Sequence, residues 1–247
     1  MESIATIVLD VPDSRLLDRL PEAIYDQTHR DVDVLILSPE RRRDRLGNGK
    51  EAPSRNLHVA PSLDVAVRLN LAARLASGPH LVTLDTGVQL WERSWLRSLL
   101  ASFRDERVAA VGGADFVPAR LSVRCPQQVM TLKEAAREPE YGLNRANAAF
   151  RRDILLARPL PDSARFHPER VWSFGRMLEG FRILMSYRAR VEPGPAVHQA
   201  RRQSGWWSLY AAPWLDAIVL REHFSRQRPS FPSGLARSAL PGVLREG

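Results

Sequence analysis

The chain has 247 residues, 44% of them hydrophobic: enough for one large α/β domain or two small ones, and too apolar for a disordered chain. Its formal charge of +8 is almost wholly arginine, Lys50 and Lys133 being the only lysines, which suits either anionic partners or a solvated basic surface. No zinc-finger spacing or RNP-like aromatic motif accompanies that charge, which disfavours nucleic acid, and the single cysteine, Cys125, excludes an intrachain disulfide.

The opening MESIATIVLDVP lacks the basic start and apolar run of a signal peptide, and no stretch reaches the ~18–20 apolar residues of a membrane span. The expectation is a cytoplasmic protein. Ile4–Leu9 is apolar and β-branched and predicts a strand; Leu16 to Ile24 recur at helical spacing around a disruptive Pro21. Val32–Leu37 predicts a second strand ending at Ser38-Pro39. Residues 40–56, charged and punctuated by Gly and Pro, read as a surface loop. Ser62 is placed to cap a helix carrying Val65, Leu69, Ala72 and Ala76 on one face, with Gly78 at its stop.

The stretch HLVTLDTGVQL, His80–Leu90, then organises the chain. Leu81, Val82 and Leu84 make a run of buried-strand length, and Asp85-Thr86-Gly87 forces a turn. Ligands of open α/β sheets gather at the carboxyl ends of strands, so Asp85 is either a ligand-facing acid or a turn cap. A helix over Trp91–Phe103 and a strand over Val108–Val111 follow. Further on come a strand or turn at Asn144–Phe150, a short helix at Arg151–Ala157, a helix at Val171–Leu178 and a strand at Arg182–Tyr187. Strands alternating with helices at this spacing predict a doubly wound, mainly parallel sheet flanked by helices.

Several segments in consistent order resemble the family-2 type of nucleotide-sugar glycosyltransferases. IVLDVPDSRLLDRLPEAIYDQTHRDVDVLIL is similar to that family's first strand, its helix ending in Q-T, and its second strand. LNLAARLASGPHLVTLD resembles the helix and strand leading to its D-x-D motif, and WLRSLLASFRDERVAAVGG the segment after it. RANAAFRRDIL resembles the family's G-x-N-x-A-F-R-R-x-x-L stretch, and the helix before GFRIL the place of its catalytic base. The resemblance covers roughly residues 4–200. It implies a GT-A fold and an inverting transfer of sugar from a nucleoside-diphosphate donor to an acceptor that the sequence does not name.

On the same resemblance, Asp85 and Thr86 fall on the D-x-D motif, whose carboxylates hold Mg²⁺ or Mn²⁺ against the donor diphosphate. The motif is degenerate here, because Gly87 stands where its last acid belongs; Asp85 is then a lone metal ligand or accepts a hydrogen bond from the donor ribose. His198 falls where a late histidine completes the metal site or meets the diphosphate, and Arg201 suits the diphosphate by its chemistry. Ser38-Pro39 replaces the acid that usually reads the base, a role open to Asp10, which could equally be a turn residue. Asn70 falls on a helix asparagine near the nucleotide; the arginine expected beside it is Leu69, with Arg68 on another face. Asn147 falls near the donor sugar, or is a turn-former. Glu169 is the one carboxylate at the position of the base, with a solvated helix-terminal acid as the plainer reading.

The sequence divides into a glycosyltransferase-like domain over 1–200 and, over 201–247, an amphipathic helix with a Pro-, Ser- and Arg-rich tail. Residues 206–224, with Trp206, Trp207, Tyr210 and Trp214 among aliphatic positions, predict a helix packed on the domain, an acceptor platform, a peripheral membrane contact or a homodimer contact. Two functions are carried forward: an inverting glycosyltransferase, and a catalytically inactive relative that keeps the fold as a binding or scaffold module.

Overall fold

The computed structural model describes residues 3–11, 23–24, 26–27, 31–38, 54–60, 62–90, 92–114, 126–132, 143–162, 164 and 167–193. Strand β1 is Ala5–Asp10, with Ala5, Ile7, Val8 and Leu9 buried because it runs through the middle of a sheet covered on both faces. Taking the side chains of Ile7, Val8 and Leu9 from water contributes ~1.5–3 kcal/mol each. Beside it lie β2 (Val32–Ser38), β3 (Ser54–His58) and β4 (His80–Asp85), all parallel, in the order β3-β2-β1-β4. Strand β3 corrects the expectation of a loop through residue 56: Arg55 ion-pairs with Asp33 on β2, a long-range contact that local composition does not encode.

The sheet continues through β8 (Asn147–Arg151), β6 (Val108–Ala114) and β9 (Arg182–Pro193) to β5 (Val88–Leu90), with β7 (Gln127–Val129) also on β9. Here β6 and β9 are parallel, while β8 runs against both β4 and β6, and β5 and β7 run against β9. The fold is thus the expected α/β architecture, with a parallel half continued by a mixed half.

Residues of β1 alternate between two cores, as the period of a strand requires. Val8 joins the core beneath helix α1 (Val65–Leu75), whereas Ala5, Ile7 and Leu9 join the core beneath helix α2 (Trp95–Leu100). A 3-10 turn, Ala101–Arg104, extends α2, so the helix predicted from Trp91 is shorter and starts later, after β5. Helices α3 (Arg152–Ala157) and α4 (Pro168–Leu178) lie on the α1 side through Leu155 and Trp172.

Two local expectations change. The residue before α1 is Asp64, not Ser62, and no side chain caps it. Gly78 lies beyond the helix end, where an added Cβ would sit 2.7 Å from the Ala5 backbone, so the glycine serves close approach to β1. By contrast, Gly180 has φ +92°, the left-handed turn that ends α4: Gly180 N–H donates to Met177 and Phe181 N–H to Arg176.

Candidate functional site

Parallel pairing puts Asp10, the last residue of β1, in register with Asp85, the last residue of β4. Register partners on neighbouring parallel strands share a face ~5 Å apart, so two carboxylates stand side by side at the strand ends, on the α1 side. Asp10 is held there by Arg68 of α1, whose Nη2 donates to Asp10 Oδ2 at 2.6 Å while its Nη1 donates to Leu63 O at 2.6 Å. Arg68, on another helix face from the position where the resemblance expects an arginine, is met by Asp10 at the end of β1.

Asp85 is exposed, and its Oδ1 accepts the Gly87 N–H at 2.7 Å, the short turn its position demands. Thr86, inside that turn, is buried at 6% exposure, and its Oγ1 has no hydrogen-bond partner among the described residues. Beyond the turn β5 pairs with the end of β9, Val88 opposite Pro193. His198, Arg201 and the run 206–224 follow in the chain and lie outside the described residues.

Both asparagines carry structural hydrogen bonds. Asn70 donates from Nδ2 to Leu160 O and accepts the Leu160 N–H at Oδ1, both at 2.9 Å. These two bonds pin the loop after α3 to α1 with one N–H and one oxygen lone pair of the amide. Asn147 is fully buried: Trp95 Nε1 donates to its Oδ1 at 2.9 Å, and its Nδ2 donates to Ala189 O at 2.9 Å. It ties α2 and β9 to β8 beneath the site, and the two bonds satisfy both ends of a buried amide. An alignment position cannot reveal that these partners are in reach.

Glu169 sits in the first turn of α4, behind Pro168 at the helix start, where the fixed φ of proline suits the first helical position. The helix is fastened by Trp172, which stacks edge-on against Phe150 of β8, centroids 5.5 Å apart, and donates its indole N–H to Arg158 O. This docking buries Glu169 completely and rules out the solvated reading. Its Oε1 is 3.2 Å from His167 Nδ1; its Oε2 lies 3.9 Å from Arg145 Nη1 and accepts no hydrogen bond among the described residues. Burial pushes the carboxyl pKa up, but the hydrogen bond from His167, the charges of Arg145 and His167 and a backbone hydrogen bond together outweigh it and hold Glu169 below the usual carboxylate value.

One turn connects the two halves of the site. Ala146 O accepts the Asp85 N–H at 3.0 Å, and the neighbouring Arg145 reaches Glu169. Asp85 and Glu169, far apart in sequence, thus flank the same short segment, residues 143–146. Sequence reasoning missed Arg145 and His167. The only local signal was the run His167-Pro168-Glu169, a histidine just ahead of the proline that starts the acid's helix.

A divalent cation of the kind the resemblance implies takes oxygen ligands. Asp85 can supply one exposed carboxylate oxygen, while Asp10 is neutralised by Arg68. Among the described residues no group of three or more His, Cys, Asp or Glu is arranged to hold a metal. The donor set fits a hydrated cation held by Asp85 together with the ligand's own phosphates, and not a cage built by the protein.

Arrangement and chain order are those of a GT-A-like fold, and solved glycosyltransferases share it. The mannosyltransferase PcManGT of Pyrobaculum calidifontis, in complex with GDP-Man and Mn²⁺, superposes with a TM-score of 0.64 at 15% identity, over 94% of this chain and 66% of that one. Staphylococcus aureus TarS gives 0.57 at 14% identity for its residues 1–349, covering 78% of this chain and 60% of that one. A second TarS structure gives 0.56 at 13% identity, over 78% of this chain and 37% of that one. This chain thus spans less than two thirds of each neighbour's length. No model of a known protein family matches the sequence, and no curated protein matches it.

Proposed function

We propose that the chain is an inverting glycosyltransferase that moves a sugar from a nucleoside-diphosphate donor to an acceptor hydroxyl or other nucleophile. One observation carries the reading: Asp10 and Asp85 stand in register at the carboxyl ends of adjacent central strands, where an open α/β sheet receives its ligand. Asp85, with Thr86 beside it, meets the donor's ribose or diphosphate, and Asp10, held by Arg68, meets the nucleoside. Arg201 is assigned to the diphosphate. A Mg²⁺ or Mn²⁺ ion, when bound by Asp85 and His198, would neutralise charge growing on the departing diphosphate. Glu169 provides the carboxylate of the base across the 143–146 turn from Asp85.

The protein would work in the cytoplasm, and no helix among the described residues is long and apolar enough to cross a membrane. Residues 206–224 remain the proposed surface for a lipid bilayer or a second copy of the chain. A thermal-shift panel of nucleoside diphosphates, with and without Mn²⁺, tests the reading, since a ligand of the folded state raises stability by mass action. A rise with one nucleotide and none after Asp85→Ala is expected; no rise with any of them overturns it.

A second reading, the scaffold module, is favoured by Gly87 at the motif's last position and by the complete burial of Asn147 in structural bonds. Nucleotide binding without turnover of any donor would select it.

A further inference from the structure

An acceptor hydroxyl gives its proton only to an atom it can touch, and the predicted base exposes none of its side chain. Next to it, the His167 side chain is 26% exposed while its Nδ1 lies 3.2 Å from Glu169 Oε1. Resting on the transferase reading, we propose that His167 is the catalytic residue that takes the acceptor's proton, through Nε2, and that buried Glu169 is the positioning residue which fixes its tautomer and balances its charge.

The chemistry of the pair sets the direction. The influences of His167 and Arg145 keep Glu169 ionised, so the carboxylate can only accept hydrogen bonds. His167 Nδ1 must then carry the proton, which leaves the lone pair on Nε2, the far corner of the ring. The backbone makes this arrangement stiff. His167 occupies the non-helical residue before α4, with φ −133° and ψ 64°, and Pro168 fixes the start of the helix, so the ring lies off the helix while Glu169 turns inward. Among the described residues, the charged groups facing the ring are Glu169 from α4 and, beyond it, Arg145 from the 143–146 turn.

In the step itself, the acceptor oxygen forms a bond to the sugar's anomeric carbon as its proton passes to His167 Nε2. The bond from that carbon to the diphosphate breaks, and its electron pair leaves on the phosphate oxygen. The resulting imidazolium faces the Glu169 carboxylate, and then releases its proton to water or to the departing diphosphate. A buried acid behind a partly exposed histidine is the division of labour that makes imidazole an effective base.

The test uses the full chain. Nitrogen-15 spectra of ring-labelled protein, with the His167 signals assigned from His167→Asn, should show neutral His167 as the Nδ1–H tautomer; Glu169→Met, which removes the acceptor at similar size, should return it toward the Nε2–H form. GDP-mannose and UDP-glucose serve as donor probes with water as acceptor, followed by release of the nucleoside diphosphate. His167→Asn keeps an N–H for Glu169 but no basic nitrogen, and should lower kcat by ~10²–10⁴-fold with little change in KM. Added imidazole should restore part of the rate in His167→Ala. Turnover of His167→Asn within about threefold of wild type, or an Nε2–H tautomer in the wild type, overturns the role of His167 and leaves the transferase reading standing. Wild type that turns over neither donor, with the Nδ1–H tautomer intact, overturns the transferase reading and the base role with it.

Discussion

Arg68 and Asp10 meet at 2.6 Å where α1 passes the end of β1, with 17% and 28% of their side chains exposed. The pair places a neutralised acid beside the free carboxylate of Asp85, so the strand ends present one net negative charge rather than two. Arg68→Met should keep the aliphatic packing and cost about 1 kcal/mol in urea denaturation, as should Asp10→Asn. The double variant should cost little more than Arg68→Met alone, because that variant already loses the contact to Asp10. Additive losses would show that the two residues act separately.

Asn147 carries the second expectation. Asn147→Ala leaves the Trp95 indole N–H and the Ala189 carbonyl buried without their partner, for a loss of about 3 kcal/mol. Gly113→Ala should fall in a similar range, because its new Cβ would sit 2.1 Å from Asn147 Nδ2 and 2.4 Å from Ala189 O. Nucleotide affinity of the folded fraction should not change in either variant. Isothermal titration at a temperature where both remain folded checks this, and a selective loss of affinity would return Asn147 to the donor site.

Metal dependence follows from Gly87. With one carboxylate available, Mn²⁺ alone should bind weakly, and nucleotide binding should survive a chelator. Gly87→Asp restores the motif's last acid and should raise Mn²⁺ affinity at least ~10-fold, since each added carboxylate strengthens a hard-cation site. Tight Mn²⁺ binding by the wild type, measured by electron paramagnetic resonance, would contradict the geometry.

The acidic side of the stability profile should report Glu169. Its carboxyl ionises more readily folded than unfolded, so its contribution is present in full above the unfolded carboxylate pKa and fades as pH falls through the folded one. Wild type should therefore exceed Glu169→Gln in stability at pH 6–7, with the gap closing as the solution is acidified below about pH 4.5. A gap that widens on acidification would mean that burial dominates and the group is held neutral.

Much of this protein is legible in one dimension. The apolar runs Ile4–Leu9, Val32–Leu37 and Leu81–Leu84 are local patterns with a stop, so they determined three strands of the sheet and the place of Asp85 at a strand end. What depends on partners distant in the chain was decided only by the tertiary structure. Register alone put Asp10 beside Asp85 and within reach of Arg68. Only the docking of α4 on the sheet buried Glu169 and left His167 as the partly exposed member of the pair. Asn70 and Asn147 look like ligand-binding amides in sequence because hydrogen-bonding capacity is a property of the residue. Whether that capacity is still available depends on which backbone groups, 90 and 42 residues away, the fold has already brought to it.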